Sequence, residues 1–129
     1  MTGAGKIVGV LGGMGPEATV DFMSKVIALT PGEKDQDHVR MLVDHNPKVP
    51  NRQAAILANG PDPGPALALM AQGLQEAGAD FLVVPCNTAY VFQDAITTAT
   101  TIALLSILDV TIEAISEAQS DASHVGILA

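Results

Sequence analysis

Short apolar runs alternate with helically spaced apolar positions along this chain. Runs rich in β-branched residues, typical of central strands of a parallel sheet, occur at residues 6–12, 38–44, 80–85 and 103–107. Between them, apolar residues recur at three- and four-residue intervals, which predicts helices at residues 16–29, 52–58, 65–77, 88–98 and 109–119. The pattern therefore predicts an α/β fold, a parallel sheet with helices on both faces and right-handed crossovers.

The last residues of the chain repeat the pattern of the first strand. Residues 124–129 (HVGILA) resemble residues 6–12 (KIVGVLG) and predict another strand. We expect residues 1–123 to form one α/β domain and residues 124–129 to be the first strand of a second, similar domain that is otherwise absent. The alternative is a fifth strand of a single domain.

Three loops that carry polar or reactive residues follow three of the predicted strands. Gly12–Gly15 follows the first strand, Asn46–Arg52 the second and Cys86–Thr88 the third. Ligands of parallel α/β sheets bind beyond the carboxyl ends of the strands. We therefore expect these loops to converge on one edge of the sheet.

Cys86 is the only cysteine in the 129 residues, so no internal disulfide is available and a free thiol in a reducing compartment is expected. A buried strand precedes it and a predicted helix follows directly. A thiol at the start of a helix is favoured as thiolate by the macrodipole and nearby N–H groups, and thiolate is the basic and nucleophilic form. The alternative is a small buried hydrophobe.

The charge distribution narrows the choice of partners. The formal net charge is −8, and from Gln53 onward the chain has eight acids and neither Lys nor Arg. This acidic surface argues against nucleic acid and anionic membranes. There is no apolar stretch typical of a secretory signal at the start and no run of membrane-spanning length, so we expect a soluble, cytoplasmic protein.

The loop residues offer groups that recognise carboxylates. Arg52 has a planar guanidinium suited to bidentate carboxylate binding, and it is the last cation of the chain. Asn87 and Thr88 carry an amide and a hydroxyl beside the thiol, although helix capping is their alternative role. Lys48 is interpreted as solvated surface. His45 is either a base or a structural hydrogen-bonding residue.

The glycine loop also matches a second type of site. Residues 13–18 (GMGPEA) satisfy G-x-G-x-x-A between a strand and a helix, with Asp44 near the end of the second strand, as in dinucleotide sites. Pro16 lacks an N–H that would face a pyrophosphate, which weakens the match. The same glycines can instead bring backbone N–H groups close to a carboxylate.

Three motifs in this order and spacing resemble the aspartate/glutamate racemase family. They are GVLGGMGPEAT (9–19), DHNPKVPNR (44–52) and VPCNTA (84–89), and the likeness covers essentially the whole chain. Members of that family are about twice as long, with two similar α/β domains facing each other across a cleft, and they commonly form dimers. They invert amino acids without pyridoxal phosphate or metal, using one cysteine from each domain.

The resemblance implies roles for particular residues. Cys86 is similar to the first-domain cysteine, Asn87 and Thr88 to the pair that holds the substrate, and Arg52 to the carboxylate-binding arginine. Met14, Asn46 and Gln53 correspond to positions that line the pocket, and their match to the family is weaker than that of the other residues. Tyr90 differs from the family pattern, in which histidine is frequent.

The expected function is thus a cofactor-independent racemase of aspartate or glutamate, a homodimer when full-length. Because the second cysteine is absent, the 129-residue chain is expected to be inactive alone. One alternative is a related enzyme of the same scaffold, either a hydantoin racemase or an arylmalonate-type decarboxylase. Another is a non-catalytic module that binds a nucleotide or other ligand.

Overall fold

The computed structural model describes residues 5–128, and within them four parallel strands form one sheet. The strands are β1 (Val8–Gly12), β2 (Met41–His45), β3 (Phe81–Val83) and β4 (Ala103–Leu104). They are ordered β2-β1-β3-β4. All five residues of β1 are buried because this apolar strand lies between two neighbours.

Helices cover both faces of the sheet, as the sequence predicts. They are α1 (Pro16–Leu29), α2 (Arg52–Leu57), α3 (Gly64–Glu76), α4 (Gln93–Ala99) and α5 (Ile107–Ala118). On one face, Val8, Val10 and Val83 pack together with Phe22 of α1. On the other, Leu11 and Leu82 belong to the main core with residues of α3 and α4. The alternation of strand side chains between the two faces thus divides the core in two.

Several predicted element bounds were wrong at their ends. The helix expected at residues 88–98 is a 3₁₀ helix over Thr88–Phe92 followed by α4, and a short 3₁₀ helix at Asp35–Asp37 was not predicted. The threonines of residues 88–98 weaken the helical propensity of that segment, because branching at Cβ restricts their side chains. The last helix begins at Ile107 rather than at residue 109, and Ser106 caps it: the Ser106 hydroxyl accepts from the amides of Leu108 and Asp109 (3.2 and 3.4 Å).

The strand predicted at residues 124–129 is not present over 124–128, which are extended coil exposed to solvent; residue 129 lies outside the described residues. A strand is defined by hydrogen bonds to a neighbour, and none of the described strands pairs with this segment. The assignment of residues 1–123 and 124–129 to two domains remains a prediction.

Candidate functional site

The first loop (Gly12–Gly15) and the second loop (Asn46–Arg52) are in contact at the carboxyl edge of the sheet. Gly13 has φ +91°, and a Cβ there would lie 2.5 Å from the backbone nitrogen of Asn46 and 2.8 Å from that of Pro47. The amide of Asn46 donates to the carbonyl of Gly12 (2.9 Å). Only glycine fits this crossing, both in conformation and in space.

The third loop joins them through the core. Met14 from the first loop, Val49 from the second, and Ala89 and Tyr90 after the third are members of one buried cluster, and Cys86 packs against it. The helix α2, which begins at Arg52, packs against the Thr88–Phe92 3₁₀ helix. The expected convergence of the three loops on one edge is therefore present.

The thiol of Cys86 is half-buried at this edge. Its Sγ lies 3.5 Å from the hydroxyl oxygen of Thr88, and its amide donates to the carbonyl of Val84 (2.8 Å). The helix expected directly behind the thiol begins at Thr88 as a 3₁₀ helix, and α-helical turns follow only from Gln93. The hydroxyl of Thr88 is therefore within hydrogen-bonding distance of the Cys86 sulfur. Asn87 is exposed, and its side chain makes no capping hydrogen bond.

Arg52 is held by the loop that precedes it. Its Nη1 donates to the carbonyl oxygens of Val49 (3.3 Å) and Pro50 (3.2 Å), which orients the guanidinium. Its Nε is buried and has no hydrogen-bond partner within residues 5–128. A buried guanidinium N–H without a partner is costly, so this atom is a donor in need of an acceptor.

Two of the less secure pocket residues point into the protein. The Met14 side chain is 4% exposed and belongs to the core. The Asn46 side chain is used locally: its Oδ1 accepts from the amide of Lys48 (3.0 Å), and its Nδ2 lies 3.7 Å from the sulfur of Met70. Both side chains therefore support their loops from the interior of the protein. Gln53, in contrast, is exposed on the first turn of α2.

Thr19 is a site residue to which the sequence analysis gave no role. It is 1% exposed, and its hydroxyl accepts from the amide of Gly13 (2.8 Å). One N–H of the glycine loop is therefore already satisfied from within the protein. This arrangement, together with Pro16 at the first position of α1, leaves fewer amides for a pyrophosphate than a dinucleotide site offers.

Two cavities lie away from this edge of the sheet. One of about 450 Å³ lies at the opposite end of the sheet, lined by Lys6, His38 and Arg40 among others, and another of about 440 Å³ lies beside α3. Neither includes Cys86. Among residues 5–128 there is no cluster of three His, Cys, Asp or Glu side chains that could hold a metal ion. Across that same range, every helix is too short or too polar to cross a bilayer.

Comparison with known proteins places this arrangement in a family. The model of the Asp/Glu/hydantoin racemase family matches residues 11–129, which include all three loops. The chain belongs to this family. It is 31% identical over 128 residues to the broad specificity amino-acid racemase RacX of Bacillus subtilis (strain 168), covering 93% of this chain and 54% of RacX.

Solved structures of this family agree. The Picrophilus torridus aspartate racemase superposes with a TM-score of 0.83 at 35% identity, over 89% of this chain and 49% of that one. An aspartate racemase homologue from Pyrococcus horikoshii OT3 has the same fold, with a TM-score of 0.74 at 20% identity, over 89% of this chain and 50% of its own. The chain thus spans about half the length of the relatives it matches.

Tyr90 is buried behind the loop that carries Cys86. Its hydroxyl donates to the carbonyl of Val84 (3.3 Å) and accepts from the amide of Ile107 (3.1 Å). Burial raises the pKa of this phenol above its ordinary value of 10.0; those two backbone hydrogen bonds oppose the increase, and the negative charges of Cys86 and Asp109 add to it. Tyr90 is therefore a neutral hydrogen-bonding group throughout the physiological pH range.

The raised pKa of Tyr90 predicts a pH dependence of stability. Below pH 10 the phenol is protonated in both states, whereas above it the unfolded chain releases the proton more readily than the folded one. The difference in free energy of unfolding between the native chain and Tyr90→Phe should therefore shrink as pH rises above 10. Urea unfolding of both proteins at about pH 9 and about pH 11 measures this, and a constant difference would contradict it.

Proposed function

We propose that this chain is the Cys86-bearing half of a cofactor-independent racemase that acts on aspartate or glutamate. The observation that carries the proposal is the packing of α2, which begins at Arg52, against the 3₁₀ helix that follows Cys86, in a chain of the racemase family. The 31% identity with RacX, a broad specificity amino-acid racemase, supports an amino acid as substrate.

In the proposed reaction, the thiolate of Cys86 removes the proton from Cα of the substrate. The new S–H bond takes the proton, and the electron pair of the broken C–H bond stays on Cα and spreads onto the α-carboxylate. Hydrogen-bond donors at that carboxylate stabilise the growing negative charge, most strongly where water is excluded. The role of the protein is to supply those donors without any electron-accepting cofactor.

Inversion requires a second group on the other face of the substrate. A single fixed thiol reaches only one face of Cα, so another acid must return a proton from the opposite side. The 129 residues contain no other cysteine. Relatives about twice as long have room for a second half, and we propose that this half supplies the partner and that the full-length protein is a homodimer.

The surface of α5 supports a further half at this place. Leu108 and Ile112 lie one turn apart on the same side of α5 and are 44% and 61% exposed, although both are large and apolar. Contiguous exposed apolar side chains commonly mark a surface that packs against more polypeptide. We propose that the second half of the racemase covers this part of α5.

Arg52 is the proposed carboxylate-binding residue, and its replacement gives a direct test. We expect Arg52→Ala to weaken binding of L-aspartate at least about tenfold, because a charge-assisted hydrogen bond contributes about 1.5–3 kcal/mol. Arg52→Lys should recover only part of this, since an ammonium cannot form the bidentate pair. The measurement is the shift in thermal unfolding with increasing L-aspartate.

Lys48→Ala is the matched control, because Lys48 is an exposed cation of the same loop. It should bind L-aspartate as the native chain does. Equal losses in both variants would mean that only general positive charge matters.

A hydantoin racemase is the second candidate, since the family description includes hydantoin. A hydantoin ring has no carboxylate, so its binding would be insensitive to Arg52→Ala. Stabilisation by a 5-substituted hydantoin and not by L-aspartate would favour this candidate. Stabilisation by NAD alone would instead favour a nucleotide-binding module.

A further inference from the structure

A three-residue turn holds Cys86 at the end of β3. The amide of Cys86 donates to the carbonyl of Val84 at 2.8 Å, two residues back, with Pro85 between them. This hydrogen bond closes a γ-turn, and the fixed φ of proline restricts its central residue. The backbone from which the Cys86 thiol projects is therefore held by the carbonyl oxygen of Val84.

The same carbonyl oxygen is also bound by Tyr90. The phenol hydroxyl donates to it at 3.3 Å, so the oxygen of Val84 has two donors. The Tyr90 side chain is only 6% exposed and lies in the buried cluster that contains Met14 and Val49. Because the ring is enclosed, its hydroxyl has a fixed place relative to the turn.

The other bond of that hydroxyl leads to α5. It accepts from the amide of Ile107, the first residue of the helix, at 3.1 Å. The first amides of a helix lack partners within the helix. Ser106 satisfies those of Leu108 and Asp109, and Tyr90 satisfies that of Ile107.

We propose that Tyr90 is a positioning residue for Cys86: its hydroxyl links the Val84–Cys86 turn to the first residue of α5, so that the helix and the thiol-bearing turn keep one fixed relation. A phenylalanine would fill the same space but leave the amide of Ile107 without its acceptor. A shift of α5 would reach the backbone of Cys86 through three hydrogen bonds, Ile107 to Tyr90, Tyr90 to Val84 and Cys86 to Val84. The importance of this for catalysis rests on the proposed racemase function, whereas the link itself does not.

The test compares Tyr90→Phe with Thr111→Val, a second change that removes a hydroxyl. Thr111 is exposed on α5, and its hydroxyl binds the carbonyl of Ile107, so its loss perturbs the same turn of helix without touching Val84. In Tyr90→Phe, we expect amide hydrogen exchange, followed by NMR, to accelerate roughly tenfold or more at both Cys86 and Ile107. In Thr111→Val, exchange at Cys86 should match that of the native chain.

Alkylation by iodoacetamide gives a second measure, because Cys86 is the only thiol in the chain. We expect Tyr90→Phe to raise its rate about threefold or more, and to do so equally in urea concentrations below the unfolding transition. An increase that grows steeply with urea would come from global unfolding and would overturn the proposal. Faster exchange at Ile107 with no change at Cys86 would also overturn it, since Tyr90 would then only cap α5.

Ile107→Pro provides an independent approach should Tyr90→Phe fold poorly. Proline is tolerated at the first position of a helix, and among the backbone donors of α5 it removes only the amide from which Tyr90 accepts, although the Ile107 side chain that packs against the core is lost as well. Ser106 has φ −75° and ψ 125°, a conformation that suits a residue before proline. This variant should accelerate exchange at Cys86 in the same direction, and native exchange there would refute the link.

Protection of Cys86 from iodoacetamide by L-aspartate separates this proposal from the racemase proposal. Because Tyr90→Phe breaks the link, we expect this variant to require about threefold more L-aspartate for half-protection than the native chain. Absence of protection in the native chain would count against the racemase proposal, while the exchange result would still decide the link.

Discussion

Residues 1–129 alone should leave L-aspartate optically unchanged, whereas the same residues followed by the second half of the Picrophilus torridus aspartate racemase should racemise it. The reason is that one thiol can serve only one face of Cα. In the longer protein, Cys86→Ala should lower the rate at least about 1000-fold, since general acid–base groups contribute about 10²- to 10⁴-fold each. Polarimetry on L- and D-aspartate measures both results.

Lys48→Ala in the longer protein serves as the control and should retain nearly full activity. Circular dichroism should show the same helix content in all variants. Turnover by residues 1–129 alone would contradict the two-group mechanism. An active Cys86→Ala variant would instead exclude Cys86 as the base.

Gly13→Ala should cost more stability than any other single methyl addition at the candidate site. The residue has φ +91°, and the added carbon would lie 2.5 Å from a backbone nitrogen that cannot move without shifting the second loop. Backbone strain alone costs about 1–3 kcal/mol, and the clash adds to it, so we expect a loss of about 3 kcal/mol or more. Urea unfolding measures this loss.

Gly73→Ala is the matched control because it adds the same methyl group inside α3, where nothing lies within 4 Å. Alanine favours a helix interior, so this variant should gain about 0.5–1 kcal/mol. A small cost for Gly13→Ala would mean that the two loops are free to separate.

The layout of the fold was predictable because strand and helix patterns have different periods. Residues 8–12 form a continuous apolar run and are a buried central strand, while α1 and α3 lie within a residue or so of their expected bounds. Gly78, which follows the last turn of α3, has φ +106°, a conformation in which glycine commonly ends a helix. The errors lie in two kinds of place. At Thr88–Phe92, local propensity competes with tertiary contacts, and at residues 124–128 the predicted strand has no neighbouring strand to pair with.

The candidate site was predictable in its location but not in its side-chain directions. Parallel strands force the loops that carry Cys86 and Arg52 to one edge, so their meeting followed from the chain order. Sequence could not show that Met14 and Asn46 turn inward, since that depends on packing against Met70 and the local turn. The link made by Tyr90 spans residues 84 to 107 and leaves no local signal in the sequence.

The strand order also has a consequence for how the chain is made. β1 is central, and its partner on one side, β3, follows only at Phe81–Val83, after more than half of the chain. A ribosome would release β1 and β2 early, with one edge of β1 left open until β3 emerges. Pairings between distant residues form slowly. The crossing of Gly13 over Asn46 can therefore assemble first, while the thiol joins it only after β3 has emerged.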